Sequence, residues 1–354
     1  MAESENIVAE TAEKIFYDLA DAQTINHDKK GSWKAPLWQA LTDAGLPLSW
    51  VSEDCGGSGA SMAEGFSVLS AAGRFAIAVP LAETMLAGWL LSQAKIPSPE
   101  GGMTVAPASP KDRIALNPDA TLSGRARGVP FAKQAKHIAV LASGAGGLSI
   151  ALLDAAGCRI EPGLNLAGDD SDTVTFTSVA PTAIKPAPKG FDQTSLMLMG
   201  AVARSLQIAG SLESMLEVSV RYSNERIAFE KKISKFQAVQ HNLARLAGES
   251  AAALAAATSA ADAIANSKSF DDEVFLEAVS AKVRCSEAAE KGAAIAHQVH
   301  GAIGFTIEHI LHRYTLRALA WRDDFGSESY WAVELGKMVA ARGADELWPL
   351  VASR

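Results

Sequence analysis

The chain has 354 residues, of which 48% are apolar and 20% charged, and its formal net charge is −8. That charge argues against nucleic acids and anionic membranes as partners, because both attract basic proteins, and no apolar run reaches the ~18 residues of a membrane span. The three cysteines lie far apart without a CxxC pair, and the acidic start does not resemble a signal peptide, so we expect a cytoplasmic protein.

The distribution of proline divides the chain into three parts. Of the 14 prolines, ten lie between residues 97 and 188, and none lies between 189 and 348. Because proline breaks helix interiors at a cost of about 3 kcal/mol, the proline-free stretch favours long helices, and the proline-rich middle favours strands and turns. The sequence therefore predicts a mainly α protein with a middle β-domain. Its parts are an N-terminal helical domain (1–96), a small antiparallel β-domain (97–190) and a C-terminal antiparallel helix bundle (191–354).

Three amphipathic segments in the first part have apolar residues at helical spacing, over residues 9–22, 33–46 and 61–75. The third begins with Ser61 and has Glu64 three residues later, which predicts a capping box. In the middle part, short β-branched or apolar runs predict strands over residues 103–108, 137–142, 148–153 and 172–179. The last part contains four or five long helical segments, which predict the bundle.

A metal centre in this bundle is not favoured by the sequence. The histidine pairs His297/His300 and His309/His312 lack the Glu-x-x-His spacing of di-iron bundles, and no HExxH motif is present. We interpret these histidines as residues of helix ends and turns, and we predict no metal.

Two segments that join bundle helices carry side chains suited to a ligand. The first, RIAFEKKISKFQAVQ (226–240), contains a guanidinium, aromatic rings and amides, and the second, QVHGAIGF (298–305), contains glycines that let a backbone approach a ligand. Arginine and amide donors beside glycine N–H groups suit a pyrophosphate. From composition alone, ordinary helix–turn–helix joints fit equally well.

Both segments resemble motifs of the acyl-CoA dehydrogenase family, which are flavoenzymes with N-terminal helices, a middle β-domain and a C-terminal four-helix bundle. The first is similar to R-x-x-F-G-x-x-I-x-x-F-Q-x-V-Q, with Glu230 where glycine is usual, and the second to Q-x-x-G-G-x-G-F, with Ala302 replacing the second glycine. Residues 37–59 resemble the family's N-terminal segment, so the likeness covers nearly the whole chain. Short, divergent members that lack the base occur in heteromeric bacterial enzymes of steroid and acyl-CoA breakdown, and the chain resembles these as well.

The resemblance implies FAD as cofactor, an acyl-CoA thioester as substrate and an electron-transferring flavoprotein as electron acceptor. It also implies a homo- or hetero-oligomer, a dimer or tetramer in which FAD lies at a subunit interface. In the middle part, VAPASPKDR (105–113) does not match the family's flavin-covering strand, so contacts to the isoalloxazine ring cannot be transferred. The implied FAD contacts are Arg226, Phe229, Phe236, Gln237, Gln240, Gln298, Gly301 and Gly304.

The catalytic base is the open question. The family reaction needs a carboxylate that removes the proton α to the thioester while a hydride leaves the β-carbon. In many members this is the Glu of a Y-E-G-T segment, which here falls on residues 325–328, so that its place is held by Gly326. Other members place the base at the start of the first bundle helix, where only Asp192 is acidic.

Three interpretations follow. Glu328 serves as the base after a two-residue shift, or the chain lacks a base and completes the FAD site of a sister chain, or it is a catalytically inactive helical scaffold. An acid that stabilises the start of the last helix is an equally good explanation of Glu328.

Overall fold

The computed structural model describes residues 7–28 and 30–352. Its first part is helical: α1 (Ile7–Leu19), α2 (Ala22–His27), α3 (Lys34–Asp43), α4 (Met62–Arg74) and α5 (Leu81–Gln93). The capping box predicted for α4 is confirmed, since the Ser61 hydroxyl accepts from the Glu64 backbone while the Glu64 carboxylate accepts from the Ser61 backbone. Helix α5 is apolar on all sides and is buried from Leu81 to Leu91, so it lies inside the protein.

The middle part is a single sheet in the strand order β6-β7-β3-β2-β4-β5-β8, with β1 beside β4. The sheet is mainly antiparallel, as predicted, but β1 and β2 each pair with β4 in parallel. The four predicted strands are β1, β4, β5 and β7, and the others escape the sequence pattern because they are short or, as in β3, interrupted by glycine. The strands are β1 (Met103–Ala106), β2 (Ile114–Leu116), β3 (Leu122–Pro130), β4 (His137–Gly144), β5 (Gly147–Asp154), β6 (Arg159–Glu161), β7 (Ser171–Val179) and β8 (Ala183–Pro186).

The last part is a helix bundle built around one long central helix. Helix α6 contacts α4, α7, α8 and α9. It is long and apolar enough to cross a membrane, but its most apolar stretch is entirely buried inside the protein, as in a core helix. The elements are α6 (Gln193–Glu225), a small hairpin of β9 (Ile227–Ala228) and β10 (Lys231–Lys232), α7 (Gln237–Asn266), α8 (Asp272–His300), α9 (Leu311–Trp321), α10 (Glu328–Arg342) and α11 (Leu347–Ala352).

The hydrophobic core is continuous through all three parts. Buried side chains of α1, α4 and α5, of the sheet, and of α6 to α9 belong to one cluster. The domain limits 1–96, 97–190 and 191–354 therefore stay a prediction. The continuity matters for function, because it fixes the α6–α7 and α8–α9 joints relative to the sheet.

Candidate cofactor site and the expected catalytic position

The first joint segment forms a hairpin between α6 and α7. Its turn residues, Phe229 and Glu230, have φ angles of 51° and 63°, which a non-glycine residue rarely adopts. This left-handed turn is a conformation that glycine adopts without strain, so it fits the glycine that the resembled motif has in place of Glu230. The Phe229 ring is 89% exposed and stands edge-on to Phe236, with 6.2 Å between ring centroids. Lys231 Nζ lies 4.3 Å from the Phe236 ring centroid and forms a cation–π contact with it.

The second joint segment is a single turn of 3₁₀ helix, Gly301–Phe305, between α8 and α9. Gly301 has a φ of 66° and open space where a Cβ would stand, so its backbone faces outward. Gly304 is buried, and a Cβ there would lie 2.9 Å from the His300 Cβ. Ala302 is exposed and needs no left-handed backbone, which explains how alanine replaces the second glycine.

Tyr222 and His300 hold the two joints together. Their rings stack with centroids 4.5 Å apart, and the Tyr222 hydroxyl donates to the His300 carbonyl at 3.3 Å. Tyr222 lies one turn before Arg226, and His300 is the last residue of α8. Both predicted segments therefore lie at the same end of the bundle.

The eight predicted FAD contacts differ in exposure. Phe236 is half-buried and Gly304 is buried, so the glycine serves the packing of the turn. Gln240 donates its amide to the Ser234 carbonyl at 2.9 Å. Within the described residues the Arg226 side chain forms no ion pair, although it is charged. The exposed contacts are Arg226, Phe229, Gln237, Gln240, Gln298 and Gly301.

These residues fit one half of a dinucleotide site. An exposed phenylalanine ring is costly to leave in water, and a guanidinium with amide donors beside it is suited to a diphosphate. Six of the eight residues are exposed, so this surface is open on the described chain.

Residue 326, on which the glutamate of the resembled Y-E-G-T segment falls, has no space for a side chain in this structure. Gly326 has a φ of 102°, and a Cβ on it would lie 2.4 Å from Trp331 Nε1. Trp331 is fixed there, because its Nε1 donates to the Phe325 carbonyl at 3.0 Å and its side chain is buried. The Phe325 ring is buried against Gly200 of α6, where a Cβ would lie 2.3 Å from it. No side chain fits at residue 326 without rearranging this packing.

Glu328 is the first residue of α10, and its surroundings are those of a helix-start acid. The hydroxyl of Ser327 caps the helix by accepting from the Tyr330 backbone. The Glu328 carboxylate receives a hydrogen bond from Arg322 Nη2 at 3.0 Å, and the same nitrogen lies 3.2 Å from Glu290. The Glu328 carboxylate thus forms a partly exposed ion pair with Arg322 on the helix surface.

The acid at the start of the first bundle helix is also occupied by hydrogen bonds. Asp192 caps α6 by accepting from the backbone and the hydroxyl of Ser195, at 2.8 and 3.1 Å. Beside it, the Gln193 amide donates to the carbonyls of Ser109 and Asp112, which fastens the loop after β1 to α6. Asp192 therefore has a structural role in the described chain.

A buried ion cluster lies between α5, α6 and the segment after α9, and the sequence did not predict it. Arg204 donates to Glu83 at 2.5 Å, to Asp324 at 2.8 Å and to Gln207 at 2.6 Å. Burial raises the pKa of Glu83, against the opposing effect of Arg204. Nearby, burial lowers the pKa of Lys282 to about 7, and its ammonium donates to the Trp321 carbonyl. The signal in the sequence is Glu83, the one charged residue of α5, together with Arg204 in the apolar first half of α6.

The four histidines pack together at the joints without forming a metal site. The rings of His300 and His309 lie 4.7 Å apart, and His297 stacks on Phe305 at 4.2 Å. In the part of the chain that the structure describes, no group of three or more His, Cys, Asp or Glu residues could hold a metal ion. The four histidines lie at the end of α8, in the turn that follows it and at the start of α9, as the interpretation of helix-end and turn histidines predicts.

Comparisons with known proteins point to one family. Residues 189–329 match the family model of the acyl-CoA dehydrogenase C-terminal domain. The chain is 28% identical over 285 residues to acyl-CoA dehydrogenase IpdE2 of Mycobacterium tuberculosis, covering 80% of each chain. It is 25% identical to IpdE2 of Mycolicibacterium smegmatis, covering 90% of this chain and 93% of the relative. A chain of the ChsE4–ChsE5 complex from M. tuberculosis has the same fold, with a TM-score of 0.83 and 23% identity. The match covers 96% of this chain and 98% of that chain.

Proposed function

Because the chain belongs to the acyl-CoA dehydrogenase family, we propose that it is the subunit of a heteromeric acyl-CoA dehydrogenase that completes the FAD site while a sister chain supplies the catalytic carboxylate. The reaction of the family is the α,β-dehydrogenation of an acyl-CoA thioester, for which bound FAD would supply the hydride acceptor. This chain's own contribution is to bind and orient the cofactor.

The observation that carries the proposal is the closed position at Gly326. A catalytic base must reach the proton that it removes, within hydrogen-bond distance. Here the backbone angle and the indole of Trp331 leave no room for a side chain. The two nearest acids along the chain, Glu328 and Asp324, are held in ion pairs with Arg322 and Arg204. Together these features favour a base on another chain.

The exposed residues of the two joint segments support the part of the proposal that concerns FAD binding. Arg226 and Gln298 would hold the diphosphate of FAD, Gln237 and Gln240 would position it, and Phe229 would cover an apolar part of the cofactor. The Gly301 N–H donates to the His297 carbonyl, and the open space on its outer side would let a ligand approach the backbone closely at the same end of the bundle. A cofactor bound there would bury a surface that one chain leaves open.

The assembly and the pathway are inferred from relatives. The ChsE4–ChsE5 complex contains two differently named proteins, and one of its chains has this fold, which supports a hetero-oligomer, a dimer or a tetramer. We extend this to a cytoplasmic enzyme of lipid or steroid breakdown, with an electron-transferring flavoprotein as electron acceptor.

The test is to express the chain alone and together with each acyl-CoA dehydrogenase-like chain encoded in the same genome. The complex should purify yellow, with FAD visible in its absorption spectrum, and should dehydrogenate an acyl-CoA, whereas the chain alone should not. Arg226→Gln should reduce the FAD retained by the complex about tenfold, because it removes a charge-assisted contact to phosphate.

Arg245→Gln is the matched control, because Arg245 is exposed on α7 outside the joint segments, and it should retain FAD normally. A complex that stays colourless would favour the inactive scaffold instead. Normal turnover by this chain alone would contradict the role of a partner subunit.

A further inference from the structure

A cavity lies between the N-terminal helices, the sheet and α9, and no residue of the segments 226–240 and 298–305 lines it. It has a volume of about 520 Å³ and is formed by the α2–α3 connection, the turn 167–169 and the start of α9. None of the eight predicted FAD contacts lines it. An inference from this cavity therefore does not depend on the proposed function.

The most unusual residue of the cavity is Arg313. Its Nε and Nη2 atoms are buried and have no hydrogen-bond partner, and within the described residues the side chain forms no ion pair. Burial, and then the charge of Arg317, lower the pKa of Arg313 to about 10. A guanidinium stays charged at neutral pH even so, and a charge that is removed from water without a partner is unfavourable. The charge therefore lacks a counter-ion.

The acids of the cavity do not supply that counter-ion. The charge of Asp169 partly opposes the lowering of the Arg313 pKa, but its carboxylate accepts from Arg317 Nη2 at 2.7 Å and forms no ion pair with Arg313. Asp28 accepts from the Ser32 hydroxyl at 2.5 Å and from the backbone of the α2–α3 connection, and the hydrogen bond from Ser32 lowers its pKa. Both carboxylates are therefore already partnered.

Cations exceed acids around the cavity. His312 adds no charge at neutral pH, because burial lowers its pKa. The remaining charged residues are the cations Lys30, Lys34, Arg313 and Arg317 and the acids Asp28 and Asp169. A cavity with this balance attracts anions, and low-dielectric walls strengthen the attraction.

We propose that this cavity binds a small molecule that carries a phosphate or carboxylate group, with the anionic group held near Arg313 and with Lys30 and Lys34 lining the same cavity. Phosphate and carboxylate match the planar donor array of a guanidinium. The volume is that of a small-molecule site rather than of a single ion. An anion there would neutralise the charge that the protein leaves uncompensated.

The test measures binding of inorganic phosphate and of succinate to the full-length protein by isothermal titration calorimetry, at constant ionic strength. One or both anions should bind in a 1:1 ratio, and the tighter of the two identifies the group that the cavity prefers. Arg313→Met, which keeps the length of the side chain but not its charge, should weaken binding about tenfold or more. Lys14→Met, an exposed lysine of α1 outside the cavity, should bind as the wild type does.

Two results would overturn the proposal. One is the absence of binding by both anions, as expected if an acidic side chain of another protein fills the cavity. The other is unchanged binding by a folded Arg313→Met variant. If circular dichroism shows that this variant is unfolded, Lys34→Met takes its place, and unchanged binding by that variant is equally decisive against the proposal.

Discussion

Gly326 and Glu328 stand two residues apart but have opposite surroundings. Gly326 is buried with no space for a side chain, whereas the Glu328 side chain is 30% exposed and paired with Arg322. A shift of two residues at a helix start turns a carboxylate through about 200°. Glu328 thus stabilises the start of α10 through the helix dipole and its ion pair.

Replacing Glu328 by glutamine should change the turnover of the assembled enzyme by less than about twofold. The side chain would lose a partly exposed ion pair worth at most about 1 kcal/mol, and no proton-transfer group. Steady-state assays of kcat and kcat/KM with an acyl-CoA substrate measure this. Glu290→Gln is the matched control, because Glu290 pairs with the same Arg322 nitrogen. A loss of several orders of magnitude in kcat, seen only for Glu328→Gln, would identify Glu328 as the base.

At the scale of elements, the ends of α6, α8 and α9 meet through a group of aromatic and imidazole rings. His309 touches Tyr222 of α6 and His300 of α8, with ring centroids 5.9 and 4.7 Å apart. Burial, followed by the charges of His300, Arg221 and His312, lowers the pKa of His309 to about 4. The same cause lowers the pKa values of His297 and His300. These helix ends therefore pack well only while the imidazoles are neutral.

The stability of the protein should fall as the pH drops from about 6.5 towards 4. In this window the unfolded chain binds protons at histidine and the folded chain does not, so acid favours unfolding. Urea unfolding midpoints measured at several pH values test this. His309→Phe should flatten the dependence, whereas His241→Gln, at an exposed position of α7, should leave it unchanged. If the unfolding midpoint depends on pH equally in the wild type and in His309→Phe, His309 is not a source of the loss of stability in acid.

At the scale of the whole molecule, the Arg204 cluster joins the N-terminal part of the chain to the helix bundle. It links α5 of the N-terminal part to α6 and to Asp324 after α9, and its guanidinium also faces the Phe325 ring at 5.8 Å. The side chains of Arg204 and Glu83 are only 3% and 1% exposed. Removing one member leaves the others as unpaired buried charges.

Arg204→Met should lower the free energy of unfolding by about 3–5 kcal/mol, because it leaves Glu83 and Asp324 without their cation. Urea unfolding followed by circular dichroism measures the change. Arg125→Met removes an exposed ion pair with Glu161 and should cost less than about 1 kcal/mol. Equal losses in both variants would show that the buried cluster has no special role in stability.

The amino-acid sequence by itself determined the order of helices, strands and helices, the capping box of α4, the two joint segments and the absence of a glutamate at residue 326. These features depend on residues that are close in the chain, where proline, glycine, periodicity and motif spacing act locally. Only the tertiary structure decided that Trp331 closes the space at Gly326, that Arg204 meets Glu83 across 121 residues of sequence, and that Arg313 lies in a cavity without a counter-ion. The physical reason is that burial and charge pairing arise from contacts between distant segments, and no local pattern encodes which distant side chain fills a given space.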